Sequence, residues 1–198
     1  MSNQDDSPEE GPKENPKNKD KYDRVSVFIH WLSAFAVGGL AFIGITMVRM
    51  PPSMETYTLY QAHKSIGITV LTLTIFRLLW RKFHAAPPPP NWLTKGDKTL
   101  ATITKHLMIA LLVISPLLGW TIVSVSPLNL PTILFDTVQL PHFPIRHWFS
   151  DLKTTESLFK TLHFWANITL CFTSILHIMG GIKHQLKDDK SFIFRILP

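Results

Sequence analysis

Three stretches of this chain, Val25–Val48, Leu107–Val125 and Thr161–Ile182, contain no Asp, Glu, Lys or Arg. Each is long enough to cross a bilayer as a helix. A fourth, Gln61–Trp80, is apolar but carries Lys64 and Arg77, and the uncharged run between them, Ser65–Phe76, is too short to span alone. Lys and Arg near helix ends keep their stems in lipid and extend their charges to the interface, so this stretch also reads as a span. The pattern predicts an all-α membrane protein, a four-helix transmembrane bundle with membrane lipid as its solvent. The spans are expected at about 27–48, 61–80, 106–125 and 161–182.

The mean hydropathy of +0.13 averages two regimes. Residues 1–24 hold few large apolar side chains and many Lys, Asp, Glu, Asn and Pro. Such a segment cannot bury enough surface to fold alone and is expected to be a disordered charged tail. Its acidic, polar start does not read as a signal peptide. Residues 25–198 are expected to form the bundle. The net charge of +6 comes from basic residues that flank the spans, so it reports topology and not nucleic-acid binding. The single cysteine, Cys171, falls in the middle of the last span and excludes an internal disulfide and a CxxC metal site.

Four spans put both termini on one side. The loop on that side, Arg81–Lys105, contains the proline run Pro87–Pro90, which is stiff and cannot continue a helix. Of the two loops on the other side, Arg49–Tyr60 is short. The long one, Ser126–Ser157, carries Phe135, Phe143, Trp148 and Phe149 among four prolines. Its aromatics suggest packing at the interface or a cap over the bundle. The side with the termini holds fifteen of the twenty Lys and Arg, counting the C-terminal tail with Lys183, Lys187, Lys190 and Arg195. The larger share of basic residues stays in the cytoplasm, so both termini are expected inside.

Ionisable residues are rare inside spans and mark functional sites. Here the spans contain His30, His63, His163 and His177, and no Asp or Glu. His30 starts span 1 and His177 lies near the end of span 4, so both are at the inner level. His63 starts span 2 and His163 starts span 4, so both are at the outer level. This pairing depends only on the number of spans. His163 and His177 are fourteen residues apart, nearly four helical turns. They therefore share a face, separated by about 21 Å along the axis. Two haems stacked across the bilayer, each gripped by two imidazoles, fit that interval. A lone span histidine can equally bond a backbone carbonyl, but four at two matched levels favour haem. Zinc needs three or four converging ligands, and di-iron bundle sites need inward glutamates, which the spans lack.

Gly67 follows His63 by four residues, and Gly180 and Gly181 follow His177 closely. Such glycines open room for a macrocycle or for helix contact. Lys64 and Arg77 are candidate partners for haem propionates, with Arg24 and Lys183 as alternatives on the inner side. His184, just past span 4, can meet a quinone headgroup or water. His106 starts span 3 at the inner level, where it could compete with His30. His142 and His147 lie in the outer loop and His84 in the proline-rich inner loop.

Several motifs resemble the bacterial cytochrome b561 family of four-helix, di-haem membrane cytochromes. They are Tyr22-Asp23-Arg24, His30-Trp31, Leu59-Tyr60, His63-Lys64-Ser65-Ile66-Gly67, Arg77-Leu78-Leu79-Trp80-Arg81, Pro116-Leu117-Leu118-Gly119-Trp120, Leu162-His163, Leu176-His177 and Lys183-His184. The resemblance covers about residues 21–198. It implies two haems b with His30, His63, His163 and His177 as iron ligands, a bacterial inner membrane, and electron exchange with a quinone, ubiquinone being the expected acceptor. One branch resembles a superoxide oxidase, in which Lys64 and the outer loop would guide superoxide and His184 would face the quinone. Against this, Glu55, Asp136, Asp151 and Glu156 leave the outer surface only weakly positive. The rival expectation is a haem-bearing anchor subunit for a partner dehydrogenase or hydrogenase. Four spans lean toward the free-standing enzyme, since anchors of that kind often carry a further one.

Overall fold

The computed structural model describes residues 21–89 and 93–187. The first twenty residues of the expected tail, and Pro90, Lys190 and Arg195, lie outside the described residues. Four long helices run in series: α1 Arg24–Met47, α2 Met54–Phe83, α3 Lys95–Val125 and α4 Leu152–Lys187. All four are long and apolar enough to cross a membrane.

Capping side chains, not hydropathy, set where the helices start. Asp23 caps α1 by accepting from the Ser26 amide at 2.9 Å. Ser53 caps α2 through the Thr56 amide at 3.1 Å, and Thr94 caps α3 through the Asp97 amide at 3.1 Å. The Asp151 carboxylate accepts from the Thr154 amide at 3.1 Å at the start of α4. Each side chain satisfies an amide that the first turn leaves unpaired. As a result α2, α3 and α4 begin at residues 54, 95 and 152, well before their apolar stretches near 61, 106 and 161. These polar first turns extend the bundle past the apolar stretches.

Asp23 does more than cap. The Trp80 indole N–H, at the far end of α2, donates to the same oxygen at 3.1 Å. The Arg81 guanidinium lies over the Tyr22 ring, 5.6 Å from its centre. The start of α1 is thereby fastened to the end of α2.

Helix α1 packs along α2, α2 along α3, and α3 along α4, whereas α4 approaches α1 and α2 less closely. The buried set is small and largely polar: Ser26, Ser33, Ser65, Thr74, Thr104, Ser115 and Thr173 join Val27, Ile29, Val70, Leu71, Leu111 and Leu170. Small residues let backbones approach where lipid gives no hydrophobic drive for helix association. Several of these hydroxyls donate to a carbonyl one turn back, as Ser65 does to Gln61, Thr74 to Val70 and Thr173 to Thr169. Large side chains such as Phe28, Phe35, Phe42, Trp165 and Phe172 point outward.

The aromatic-rich loop between α3 and α4 forms a cap. It contains a hairpin, β1 Thr132–Leu134 and β2 Val138–Leu140, paired antiparallel with Ile133 opposite Gln139. Phe135 and Asp136 hold φ of 47° and 56°, and the Thr137 amide donates to the Leu134 carbonyl at 2.9 Å, so the strands join through a primed turn. Gln61, 4% exposed, holds the hairpin to α2. Its Nε2 donates to the Pro131 carbonyl at 2.9 Å and its Oε1 accepts from the Ile133 amide at 3.3 Å. Ser65 Oγ accepts from the Phe135 amide at 3.0 Å. On α3, Trp120 stacks on Phe143 and donates to the Pro141 carbonyl at 3.1 Å. The Phe143 amide donates to Ser124 Oγ at 3.0 Å.

Burial raises the Asp23 carboxyl, but the Ser26 and Trp80 hydrogen bonds outweigh it and hold the group below the usual carboxylate range. Its stabilising contribution is present above that range and is lost as pH falls through the lowered value. Asp23→Ala is expected to cost about 1 kcal/mol, and Asp23→Asn, which can still cap, much less. Thermal melting in detergent at neutral pH checks both.

Candidate functional site

Three helices, α1, α2 and α4, bring the four span histidines together as two pairs. His30 of α1 meets His177 of α4 with ring centres 6.3 Å apart and planes at 72°. His63 of α2 meets His163 of α4 with ring centres 6.3 Å apart and planes at 79°. The first pair lies toward the termini and the second toward the hairpin cap. Both pairs span helices that do not pack closely.

The repeated distance has a chemical meaning. An imidazole nitrogen binds a metal at about 2 Å, and its ring centre lies about 1.1 Å behind that nitrogen, so two rings on opposite sides of one iron stand just over 6 Å apart. Both pairs have that spacing. Among the described residues, no three of His, Cys, Asp and Glu converge as a metal cluster would require. The residues therefore fit a group held between two imidazoles. A Cβ added at Gly38, Gly39, Gly67, Gly180 or Gly181 would meet nothing within 4 Å.

The two rings of the pair nearer the hairpin cap are seated on glycine. A Cβ on Gly44 of α1 would lie 3.3 Å from His63 Cε1, and one on Gly119 of α3 would lie 3.4 Å from His163 Cε1. Sequence reading passed over Gly44 and quoted Gly119 only as part of a motif. The contacts join different helices, so spacing alone does not disclose them. His163 is also tied by polar contacts. Its Nδ1 lies 2.9 Å from the Ser115 carbonyl, and Asn167, one turn on, donates to the His163 carbonyl at 2.7 Å. His63 Nδ1 is buried without a hydrogen bond among the described residues; the Leu40 carbonyl faces it without completing one.

The candidate propionate partners separate. Arg77 lies within Coulombic range of both His30 and His177. Its position follows from spacing, since it is fourteen residues after His63 on the same helix face. Lys64 instead donates to the Pro131 carbonyl at 3.2 Å, at the rim of the cap. Arg24 is exposed. Lys183 pairs with Asp97 at 3.0 Å, and His184 Nε2 lies 3.9 Å from the same carboxylate oxygen. Asp97 was not anticipated, because it falls in Arg81–Lys105, a stretch expected to be a loop, whereas the structure puts it in the first turn of α3.

The remaining histidines lie elsewhere. His106 is exposed, with Nδ1 2.8 Å from its own helix's Thr102 carbonyl, and does not join His30. His84 stacks on Trp80 at 4.0 Å. His147 is exposed beside Trp148. His142 is drawn into the cap near Lys64 and Arg146. Burial first, then those two cations, push its imidazole below its ordinary value.

A family model described as prokaryotic cytochrome b561 matches residues 21–198. The chain is also similar to cytochrome b561 homolog 2 of Escherichia coli strain K12. The two are 27% identical over 180 residues, which cover 90% of this chain and 92% of that protein.

The glycine seats generate an expectation. Gly44→Val and Gly119→Val should displace the His63 and His163 rings and diminish the haem absorbance of the purified protein. Gly96→Ala, whose Cβ would come no nearer than 3.9 Å to Thr94 Oγ1, should leave the spectrum intact. Unaltered spectra in both valine variants would show that the seats are dispensable.

Proposed function

The chain belongs to the prokaryotic cytochrome b561 family and is thus a multi-pass bacterial membrane protein of haem b electron transfer. From that premise we propose that it carries two haems b, one at each histidine level, and moves electrons across the inner membrane from an outer-side donor to ubiquinone. The observation that carries this reading is the 6.3 Å separation of His30 from His177, repeated between His63 and His163. Both termini are cytoplasmic in this reading, as the distribution of Lys and Arg favours.

Each haem b supplies a one-electron iron couple. Two imidazoles per iron leave no open position, which favours outer-sphere transfer over oxygen binding. His163 and His177 lie on one face of a single helix, so α4 acts as the common rail for both levels. Arg77, near His30 and His177, would hold a haem propionate at that level and keep it from being buried unpaired.

Superoxide is the donor we propose. The two cations Lys64 and Arg146 flank His142 at the cap near the outer level. This favours approach of an anion from that side. Each superoxide gives up one electron and leaves as dioxygen. Two such electrons, with two protons from the cytoplasmic side, convert quinone to quinol. His184, whose Nε2 lies 3.9 Å from an Asp97 carboxylate oxygen, is suited to hand over those protons.

Mixing superoxide with the oxidised protein in stopped flow should reduce haem rapidly, and added ubiquinone should reoxidise it. Absence of reaction, with a large soluble subunit co-purifying, would favour an anchor for a partner dehydrogenase or hydrogenase. Replacing His163 by Ala should remove the outer haem and spare the inner one, and His177→Ala the reverse. Full haem occupancy in either variant would overturn that ligand assignment.

A further inference from the structure

The two histidine levels are equal in spacing but not in hydrogen bonding. At the outer level the His163 Nδ1 is 2.9 Å from the Ser115 carbonyl. The Ser115 hydroxyl donates to Asn167 Oδ1 at 2.9 Å, and Asn167 Nδ2 donates to the His163 carbonyl at 2.7 Å. The contacts form a closed ring: Ser115 on α3 holds Asn167, and Asn167 holds the backbone turn of α4 that carries His163. Ser115 is 5% exposed. No comparable side-chain bond reaches His30 or His177 among the described residues.

A carbonyl can only accept, so the bond fixes the His163 proton on Nδ1 and leaves Nε2 as the lone-pair nitrogen. Donating that N–H also makes the ring a stronger electron donor toward a metal. We propose that Ser115 and Asn167 are positioning residues that lock His163 in this tautomer and lower the reduction potential of the outer centre alone. This rests on the reading of His163 as an outer haem ligand. The consequence is directional: the outer centre holds an electron less tightly than it would without the ring, which biases the electron toward the other level.

The test is a redox titration of the haem-loaded protein, with the two centres told apart by the spectra of the His163→Ala and His177→Ala variants. In Asn167→Ala the outer ferric-to-ferrous ratio at fixed potential should fall roughly tenfold, with the inner ratio unchanged. The low-spin electron paramagnetic resonance signal of the outer centre should shift alone. Ser115→Ala should act in the same direction, and Ser115→Thr, which keeps the hydroxyl, should restore the wild-type value. The double variant Ser115→Ala, Asn167→Ala should be no worse than the more severe single one, because both break one ring. If Asn167→Ala does not load haem, the Ser115→Ala and Ser115→Thr pair decides by the same readout. An unaltered outer potential in a haem-replete variant, or equal shifts at both centres, overturns the proposal. Failure of the underlying ligand reading looks different, because the outer haem would then survive in His163→Ala.

Discussion

Two imidazole rings must stand just over 6 Å apart to share one metal ion, and this bundle meets that demand twice along one helix. Neither pair belongs to helices in close contact, because α4 stays further from α1 and α2 than from α3. The spacing is therefore set indirectly. The packing of α1 on α2, α2 on α3 and α3 on α4 fixes where the histidine-bearing faces lie. Where a ring needs a finer seat, a glycine of the neighbouring helix provides it, as Gly44 does for His63 and Gly119 for His163.

A protein built this way has little apolar core to hold it together. Its stability has to come from short-range polar contacts that lipid cannot disturb. Serine and threonine hydroxyls bonded to their own helix satisfy themselves while letting backbones come close. Contacts at the two ends do the rest. Asp23 binds the end of α2 through Trp80, and Gln61, Ser65, Trp120 and Ser124 pin the hairpin loop across the other end. That cap brings Lys64, His142 and Arg146 together. The same loop thus closes the bundle and sets the cations Lys64 and Arg146 near His142 at the end that holds His63 and His163.

Much of the plan was legible in the residues. Uncharged runs of sufficient length disclosed three spans, and snorkelling allowed the fourth. Counting spans assigned each histidine a level, and the structure brings together the residues that share one. Arg77 repeats the fourteen-residue interval of His163 and His177, so its level was also readable. What was not legible depends on contacts between segments far apart in the chain. The hairpin turn at Phe135-Asp136 lacks the Asn-Gly or Asp-Gly signal that marks such turns. The Ser115 contact uses a main-chain carbonyl, which no side-chain pattern reveals. Asp97 fell in a stretch expected to be a loop and is the partner of Lys183, far along the chain.

The claim on which all of this depends is that each imidazole pair holds its own haem. Measuring haem b per polypeptide in the purified protein, by pyridine haemochrome absorbance against quantitative amino-acid analysis, tests it most directly. Two haems per chain are expected. A single haem per chain, or none, would contradict the account.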